Sequence, residues 1–562
     1  MCLAFRGAAA FDCANRKQRV RDMTDEMLRS ADVLARRLYD AGIRHAFGMP
    51  GGEVLTLVDA LGQAGIDFVL VRHENAGGFM AEGVHHATGA PGLLVATVGP
   101  GALNAVNVVE NAREDRVPLI VVTGCIDAAT AQRYTHQLAD QRAVFASVAK
   151  ASFTMVSDAA EVIADKAIAV ATSGQPGPVH IDLPISVADA PATPRPDLRR
   201  RPSMPVAPAP GVGLDALRGT LATAERPLII AGVDALNEGA GAAIRAAAEA
   251  LGAPLITTYK AKGLLPEDHA LALGGAGLSP RADTILLPLV READVIVLAG
   301  YDPVEMRSGW QDAFDPDRQT VIDIAAAPNT HYMHQASVNI QASVGATLEA
   351  LTAGIAARPR WRGGRIAGAK DALAKAFAPG PGWGPGAVIE TCRRLLPDDT
   401  RASVDSGAHR ILLSQMWRCP FPRALIQSTG LCTMGCAVPL AIGAQIAEPD
   451  RPVVSFSGDA GFLMVAGELA TAAELGLRTI FVVIDDSSLA LIEMKQRAMQ
   501  FPKAGVDTGR TDFAALGRAM GGDGHAVRSV AALEVALTAA LSADTFTVIA
   551  AVIDRRAYDD RI

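Results

Sequence analysis

Short apolar runs alternate with amphipathic stretches along most of this chain. Runs of four to seven apolar residues are typical of strands buried in a parallel sheet, and the stretches between them carry apolar residues at helical spacing. This alternation predicts an α/β fold. The runs that predict strands are 68–74, 93–98, 119–123, 178–184, 228–231, 295–298, 320–323, 453–456 and 479–484.

Two segments rich in proline, glycine and arginine interrupt the alternation, at residues 191–211 and 356–386. Such composition indicates linkers. We therefore predict three doubly wound parallel-sheet domains, at 25–190, 212–355 and 387–562. Residues 1–24 are basic with few acids, and we expect an N-terminal extension, with a targeting segment or a start codon upstream of Met23 as alternatives.

Composition narrows the class of protein. Of 562 residues, 50% are hydrophobic and 20% are charged, which is typical of a globular protein. The net charge of −8 and the lack of a long basic run argue against nucleic-acid binding, and no apolar run approaches the ~18 residues of a membrane span. The seven cysteines are scattered, and we expect Cys432 and Cys436 to be reduced thiols in a core. A cytoplasmic location is expected.

Acidic residues follow two successive predicted strands. The first ends in Gly458-Asp459, and the second, one helical crossover later, ends in Asp485-Asp486. Parallel strands deliver their carboxyl ends to one edge of a sheet, where carboxylates can hold Mg²⁺ and a helix N-terminus can bind phosphate. A simple turn with a solvated strand exit is the alternative, which the second acidic pair disfavours. No Gly-x-Gly-x-x-Gly follows either strand, which disfavours a dinucleotide site.

Five motifs extend this hypothesis over nearly the whole chain. With them the sequence resembles the thiamine-diphosphate-dependent enzymes of the acetolactate synthase type. The resemblance implies pyrimidine-binding, central and diphosphate-binding domains, with the cofactor between the first domain of one subunit and the third domain of another. A homodimer or dimer of dimers follows. The motifs are Phe47-Gly48-Met49-Pro50-Gly51, Arg72-His73-Glu74, Gly99-Pro100-Gly101, Gly430-Leu431-Cys432-Thr433-Met434-Gly435 and the segment 458–488.

The resemblance assigns three residues to the aminopyrimidine end of the cofactor. Glu74 is expected to hydrogen-bond N1′ and so support the imino tautomer that accepts the thiazolium C2 proton. Met434 is expected beneath the two rings, and Cys432 to offer its carbonyl oxygen to the 4′-amino group. The residues alone leave two alternatives open, a helix cap for Glu74 and ordinary core packing for Met434.

At the diphosphate end the resemblance implies a magnesium site formed by Asp459, Asp486 and the carbonyl of Ser488. The family usually has Asn at the position of Asp486 and Gly at that of Ala460. Asp is a competent Mg²⁺ ligand, although the added negative charge near a diphosphate puts the affinity in question. The remaining predicted cofactor contacts are Ser406, Gly407, His409, Ala460 and Gly461.

The implied reaction is decarboxylation of a 2-oxo acid with transfer of the acyl unit to a carbonyl acceptor. The acceptor-site positions depart from true acetolactate synthases, which carry Trp where Lys495 stands and Lys where Ile185 stands. We predict substrate contacts from Lys495, His136 and Gln137, with a solvated lysine and a structural histidine as alternatives.

Two other functions stay open from the sequence. The lost Trp and Lys favour a simple 2-oxo acid decarboxylase or C–C lyase, and a catalytically silent cofactor-binding subunit is a third reading that Glu74 and Met434 disfavour. FAD binding is left open, because segments 274–278 and 300–307 keep a loose likeness to the flavin-binding region of acetolactate synthases.

Overall fold

The computed structural model describes residues 28–192, 203–304 and 306–562. The predicted N-terminal extension, much of the first predicted linker and Glu305 lie outside the described residues. The chain divides into two compact units, the first up to Pro202 and the second from Ser203. The predicted domain boundaries stay predictions.

The first unit is built on one six-stranded parallel sheet with the strand order β2-β1-β3-β4-β6-β5. Its interior strands are almost completely buried, because helices cover both faces. The strands are β1 (His45–Met49), β2 (Asp67–Leu70), β3 (Gly92–Ala96), β4 (Leu119–Cys125), β5 (Ala151–Thr154) and β6 (Val179–Pro184). The α-helices are Ser30–Asp40, Leu55–Ala64, Glu74–Thr88, Pro100–Asn104, Val106–Glu114, Ala128–Ala131, Gln141–Ala146, Ala160–Thr172 and Ile185–Asp189.

The second unit contains two further six-stranded parallel sheets. The central sheet has the order β12-β11-β10-β7-β8-β9, and the third sheet has the order β14-β13-β15-β16-β18-β17. The central strands are β7 (Pro227–Ala231), β8 (Leu255–Thr258), β9 (Ala272–Ala276), β10 (Val295–Ala299), β11 (Thr320–Ala325) and β12 (Val338–Gln341). The strands of the third sheet are β13 (Arg401–Val404), β14 (Leu425–Gln427), β15 (Val453–Gly458), β16 (Ile480–Asp485), β17 (Asp523–Val527) and β18 (Thr547–Val552).

Helices connect most strands of the second unit, whereas β8 and β9, β10 and β11, and β11 and β12 are joined by described segments without an α-helix. The helices around the central sheet are Val212–Thr223, Val233–Asn237, Gly241–Leu251, Pro280–Glu292, Val344–Thr352 and Arg365–Ala376. Those around the third sheet are Pro385–Leu395, Ala408–Met416, Ala437–Ala447, Asp459–Val465, Leu469–Glu474, Ala490–Ala498, Phe513–Ala519 and Val530–Leu541. The three parallel sheets with flanking helices confirm the predicted fold class. Among the described residues, no helix combines the length and apolar character needed to cross a lipid bilayer.

Some local predictions are wrong in their limits. The strand predicted over 68–74 ends at Leu70, and Glu74 instead begins a helix. The predicted second linker contains the helix Arg365–Ala376, whose Ile366 and Ala369 are buried against the core. The prolines and most of the glycines flank that helix, and only Gly368 lies within it, so the composition of the whole segment concealed it.

A single apolar cluster runs through both sheets of the second unit. It joins Leu228 and Ile296 of the central sheet to Val404 and Phe456 of the third sheet, all of them fully buried. Residues on the predicted second linker, including Phe377, belong to the same cluster. The third sheet therefore shares an apolar core with the central sheet. This shared packing supports the carboxyl edge of the third sheet.

Candidate active site

The predicted acidic residues emerge at one edge of the third sheet. Strands β15 and β16 are adjacent and parallel, with Gly458 opposite Ile484, so Asp459 and Asp486 follow at the same edge. The helix Asp459–Val465 begins directly at the first of these acids. An acid in the first turn is favourable because the N-terminus of a helix carries partial positive charge.

Both acids are buried and hydrogen-bonded. The Asp459 carboxylate accepts from the amide of Ala460 at 2.8 Å and from the hydroxyl of Thr508 at 2.6 Å. The Asp486 carboxylate accepts from the amide of Ser488 at 2.9 Å. Thr508 was not predicted from the sequence, since it lies in a loop 49 residues further along.

The electrostatics of this pair fit a cation. Burial, followed by the negative charge of Asp459, raises the pKa of Asp486 to about 8. Burial also raises the pKa of Asp459, while the hydroxyl of Thr508 opposes that shift. Two buried carboxyl groups that disfavour each other's charge gain most from a divalent cation between them.

The donor set also limits which cation fits. Among the described residues no group of three or more His, Cys, Asp or Glu side chains is arranged to hold a metal. Mg²⁺ is commonly held by one or two carboxylates together with substrate phosphates and water. The two acids suit a metal bound jointly with a phosphate group.

A cavity of about 120 Å³ opens beside these acids. Its lining combines the helix N-terminus with apolar side chains from Ala490 to Ile492. Tyr558, which the sequence did not predict, also lines it, and burial followed by the charge of Asp486 raises the pKa of its phenol. Nine predicted residues line this cavity: Ser406, Gly407, His409, Met434, Asp459, Ala460, Gly461, Asp486 and Ser488.

Asp405 ties three segments of the cavity together. One carboxylate oxygen lies 2.8 Å from Nε2 of His409, and the other accepts from the amide of Gly435 at 2.7 Å. A Cβ on Gly461 would lie 2.0 Å from the same carboxylate, so only glycine allows this approach. Asp405 thus fixes His409 and the loop that carries Met434 against the helix Asp459–Val465.

Cys432 differs from its neighbour Cys436. Cys436 is buried as predicted, whereas Cys432 is half-buried, so the prediction of a core thiol is wrong for Cys432. Its backbone has a left-handed φ of 50°, and its sulfur accepts from the Arg410 guanidinium at 3.1 Å. A left-handed φ is uncommon for a residue other than glycine.

In the first unit, Glu74 begins the helix Glu74–Thr88 and is 5% exposed. Its carboxylate accepts from the side-chain amide of Asn104 at 2.9 Å. The ring of His73, not Glu74, caps this helix by accepting from the amide of Asn75. The carboxylate of Glu74 is therefore not used as a cap, and the helix N-terminus favours its charge.

The predicted substrate residues lie on exposed elements. His136 and Gln137 are in an exposed loop of the first unit, where Gln137 has a left-handed φ of 55°. The nearby Gly99 turn is fixed by Gln141, a buried residue that the sequence did not predict and whose side-chain oxygen accepts from the Gly99 amide at 2.8 Å. No local pattern marks Gln141, because its partners are remote in the chain.

Lys495 lies exposed on the helix Ala490–Ala498 of the second unit. Glu493 on the same helix pairs with Arg555 at 2.9 Å and accepts from the hydroxyl of Ser488 at 2.8 Å. Glu493 therefore supports the cavity residue Ser488, and the role of Lys495 stays a prediction.

Comparison with known proteins agrees with this geometry. Profiles described as the N-terminal TPP binding domain, the central domain and the C-terminal TPP binding domain of thiamine pyrophosphate enzymes match residues 28–144, 214–351 and 405–551. The chain belongs to the thiamine pyrophosphate enzymes, and thiamine pyrophosphate is the older name of thiamine diphosphate. Its relatives place it with the acetolactate synthase type, which confirms the resemblance found in the sequence.

Two relatives illustrate the range of the family. Acetolactate synthase isozyme 1 large subunit of Escherichia coli is 31% identical over 486 residues, covering 84% of each chain. A probable 2-ketoarginine decarboxylase of Pseudomonas aeruginosa is 32% identical over 513 residues, covering 88% of each chain. The two names describe different reactions at almost equal similarity, so similarity leaves the reaction of this chain open.

Proposed function

We propose that this enzyme decarboxylates a 2-oxo acid and transfers the acyl unit to a carbonyl acceptor, using thiamine diphosphate and Mg²⁺. The observation that carries the proposal is the cavity at the edge of the third sheet, where a helix N-terminus and two buried carboxyl groups surround apolar space. This combination suits a metal-bound diphosphate at one end and an organic ring system at the other.

Seven residues that line the cavity have a proposed task. Asp459, Asp486 and the carbonyl of Ser488 would hold Mg²⁺, while the amides of Ala460 and Gly461 would donate to phosphate oxygens. His409, oriented by Asp405, would donate to the same phosphate. Met434 would support the rings with its apolar side chain.

Glu74 is proposed as the catalytic acid. Bound thiamine diphosphate supplies the carbon nucleophile and the electron sink that loss of CO₂ from a 2-oxo acid requires. Glu74 would hold a proton at N1′ of the aminopyrimidine, and its Asn104 contact fixes the carboxylate at the helix start. Because the family places the cofactor between subunits, we propose a homodimer or a dimer of dimers. Flavin is not part of the proposal.

Two observations favour a second candidate, a simple decarboxylase or C–C lyase. The position where acetolactate synthases select the acceptor holds the exposed Lys495 here. A relative of nearly equal similarity is named a probable 2-ketoarginine decarboxylase. In a decarboxylase, Lys495 would contact the side chain of the 2-oxo acid instead of a second, acceptor substrate.

The test is CO₂ release by the purified enzyme across a panel of 2-oxo acids, with every product identified. The panel includes pyruvate, longer aliphatic acids and acids with charged side chains, each with and without an added aldehyde acceptor. A 2-hydroxy ketone or acetohydroxy acid product supports the proposal. Aldehyde as the sole product with every substrate supports the second candidate, and no CO₂ from any substrate with cofactor bound would contradict both.

A further inference from the structure

A second cavity, remote in sequence from the active-site motifs, lies at the amino edge of the central sheet. It has a volume of about 290 Å³. Arg226 immediately precedes β7, and Glu292 lies just before β10, the strand beside it. Ligands in open α/β sheets bind at the carboxyl edge, so the general rule for this fold does not predict a cavity here.

The lining of this cavity is strongly cationic. Five arginines contribute to it, against two glutamates. Glu292 is already engaged, because its carboxylate forms a bidentate pair with Arg365 at 2.6 and 3.0 Å. Within the described chain no carboxylate lies within 4.0 Å of Arg358, Arg360 or Arg362. Glu225 also lines the cavity, and the charge of Asp294 acts on Arg360, but the five arginines still outnumber the nearby carboxylates.

Arg360 is the most informative of these residues, since it is 6% exposed. One terminal nitrogen donates to the carbonyls of Ala222 and Ala224, but its Nε has no hydrogen-bond partner among the described residues. Burial and the neighbouring Arg358 both lower the pKa of this guanidinium. A buried donor left unsatisfied is costly, and an anion in the cavity would satisfy it.

An aromatic side chain completes the cavity. Trp361 is half-buried between Arg360 and Arg362, and its indole N–H donates to the carbonyl of Pro227 at 2.8 Å. This bond fixes the orientation of the ring at the cavity wall. Indole faces stack well on planar nitrogenous bases, and guanidinium groups pair with phosphates in bidentate geometry.

We propose that this cavity, defined by Arg358, Arg360, Trp361 and Arg362, is a binding site for a nucleoside diphosphate. The phosphates would contact the arginines and the base would stack on Trp361. The volume of the cavity lies near the lower end of the range for ligand pockets, and it suits a single nucleoside diphosphate. The site is independent of the proposed catalytic function and lies at the edge of the sheet opposite to that at which such folds hold nucleotides.

Calorimetric titration of ADP tests the proposal, on enzyme saturated with thiamine diphosphate and excess Mg²⁺ so that the active site is filled. We expect one ADP site with a micromolar dissociation constant and a change in tryptophan fluorescence. The double variant Arg358→Ala/Arg362→Ala should weaken binding at least about 30-fold, since it removes two charge-assisted contacts. The matched control is Arg318→Ala, an exposed arginine at the same edge of the sheet that does not line the cavity, and it should bind as wild type does.

Inorganic pyrophosphate and Trp361→Leu separate the two parts of the ligand. Pyrophosphate should bind more weakly than ADP to the wild type, and Trp361→Leu should weaken ADP binding while leaving pyrophosphate binding unchanged. Pyrophosphate binding as tight as ADP binding would overturn the nucleoside part of the proposal. Absence of ADP binding at millimolar concentration, or full ADP binding by a folded double variant with an unchanged melting temperature, would overturn the site.

Discussion

Two acidic residues, Glu74 and Asp459, each stand at the beginning of a helix, and each is buried. At such a place the partial positive charge of the helix N-terminus and a few polar donors replace part of the water that a carboxyl group loses on burial. Asn104 is that donor for Glu74, and Thr508 is that donor for Asp459. Glu74 would contact the aminopyrimidine ring of the cofactor, whereas Asp459 would bind Mg²⁺. Replacing each of them should therefore have a different effect.

Replacing Glu74 with Gln should separate catalysis from binding. The amide keeps the shape and the contact region of the side chain but cannot hold the proton, so turnover should fall at least ~100-fold. Affinity for thiamine diphosphate should stay within about tenfold of wild type. Steady-state CO₂ release and a cofactor titration measure the two effects, with Glu110→Gln as the matched control, since Glu110 is partly exposed and pairs with Arg113. Unchanged turnover in Glu74→Gln would remove this residue from the mechanism.

Replacing Asp459 with Ala should instead abolish tight cofactor binding. The change leaves Asp486 as the sole predicted carboxylate ligand, and we expect affinity for thiamine diphosphate to fall at least ~100-fold, with excess Mg²⁺ unable to restore it. Calorimetric titration at two Mg²⁺ concentrations measures the effect. Asp523→Asn is the control, because Asp523 is exposed at the start of β17 and does not line the cavity. Recovery of Asp459→Ala at high Mg²⁺ would contradict its role as a metal ligand.

The elements around the cavity are held by close backbone approach. Gly461, in the first turn of the helix Asp459–Val465, faces the Asp405 carboxylate and the backbone nitrogen of Gly435. Three elements therefore meet at a point that has no room for a side chain. Such a junction transmits any displacement of one element to the other two.

Gly461→Ala should disturb that junction. The added Cβ would lie 2.0 Å from the Asp405 carboxylate oxygen, so the helix or the Met434 loop must shift. We expect the melting temperature to fall by several degrees and cofactor affinity to fall at least tenfold. Gly368→Ala is the matched control, since its Cβ would meet open space within a helix and should leave both quantities unchanged or slightly improved. Wild-type cofactor affinity in Gly461→Ala would show that the junction tolerates a side chain.

Elements with a repeated local pattern were predictable from the sequence, whereas contacts between distant residues were not. Strand β16 and the acids after it follow from a run of apolar residues and the rule that parallel strands share an edge. Thr508 and Gln141 could not be predicted, because what defines each is a hydrogen bond to a residue brought close by the fold. The half-buried position of Cys432 accompanies a left-handed backbone that the residue type does not indicate.

At the scale of the whole molecule, one buried histidine should govern part of the acid stability. His334 is 6% exposed and packs against Phe314, Tyr301 and His331, with ring centroids 4.7, 5.2 and 4.8 Å away. Neither ring nitrogen has a hydrogen-bond partner among the described residues. Burial, followed by the charge of His331, lowers the pKa of His334 to about 4.

The sign of the pH dependence follows from that depressed pKa. Between pH 6.5 and pH 4 the unfolded chain binds a proton at His334 that the folded protein does not, so stability falls as the pH decreases. The loss amounts to up to about 3 kcal/mol near pH 4. His334→Phe should flatten this part of the stability profile, measured by denaturant unfolding between pH 4 and pH 7. His269→Phe, at a partly exposed site, is the control, and an unchanged acid slope in His334→Phe would contradict the assignment.

The continuous apolar cluster of the second unit also limits how this protein can be recombined. Leu228 and Phe456 belong to one core. A protein fragment with the third sheet alone would therefore expose a large apolar surface that the central sheet otherwise covers. Chimaeras with a relative should therefore fold when the exchange point lies between the two compact units, and should aggregate when it lies within the segment 356–386. The two sheets of the second unit would therefore have to be exchanged together.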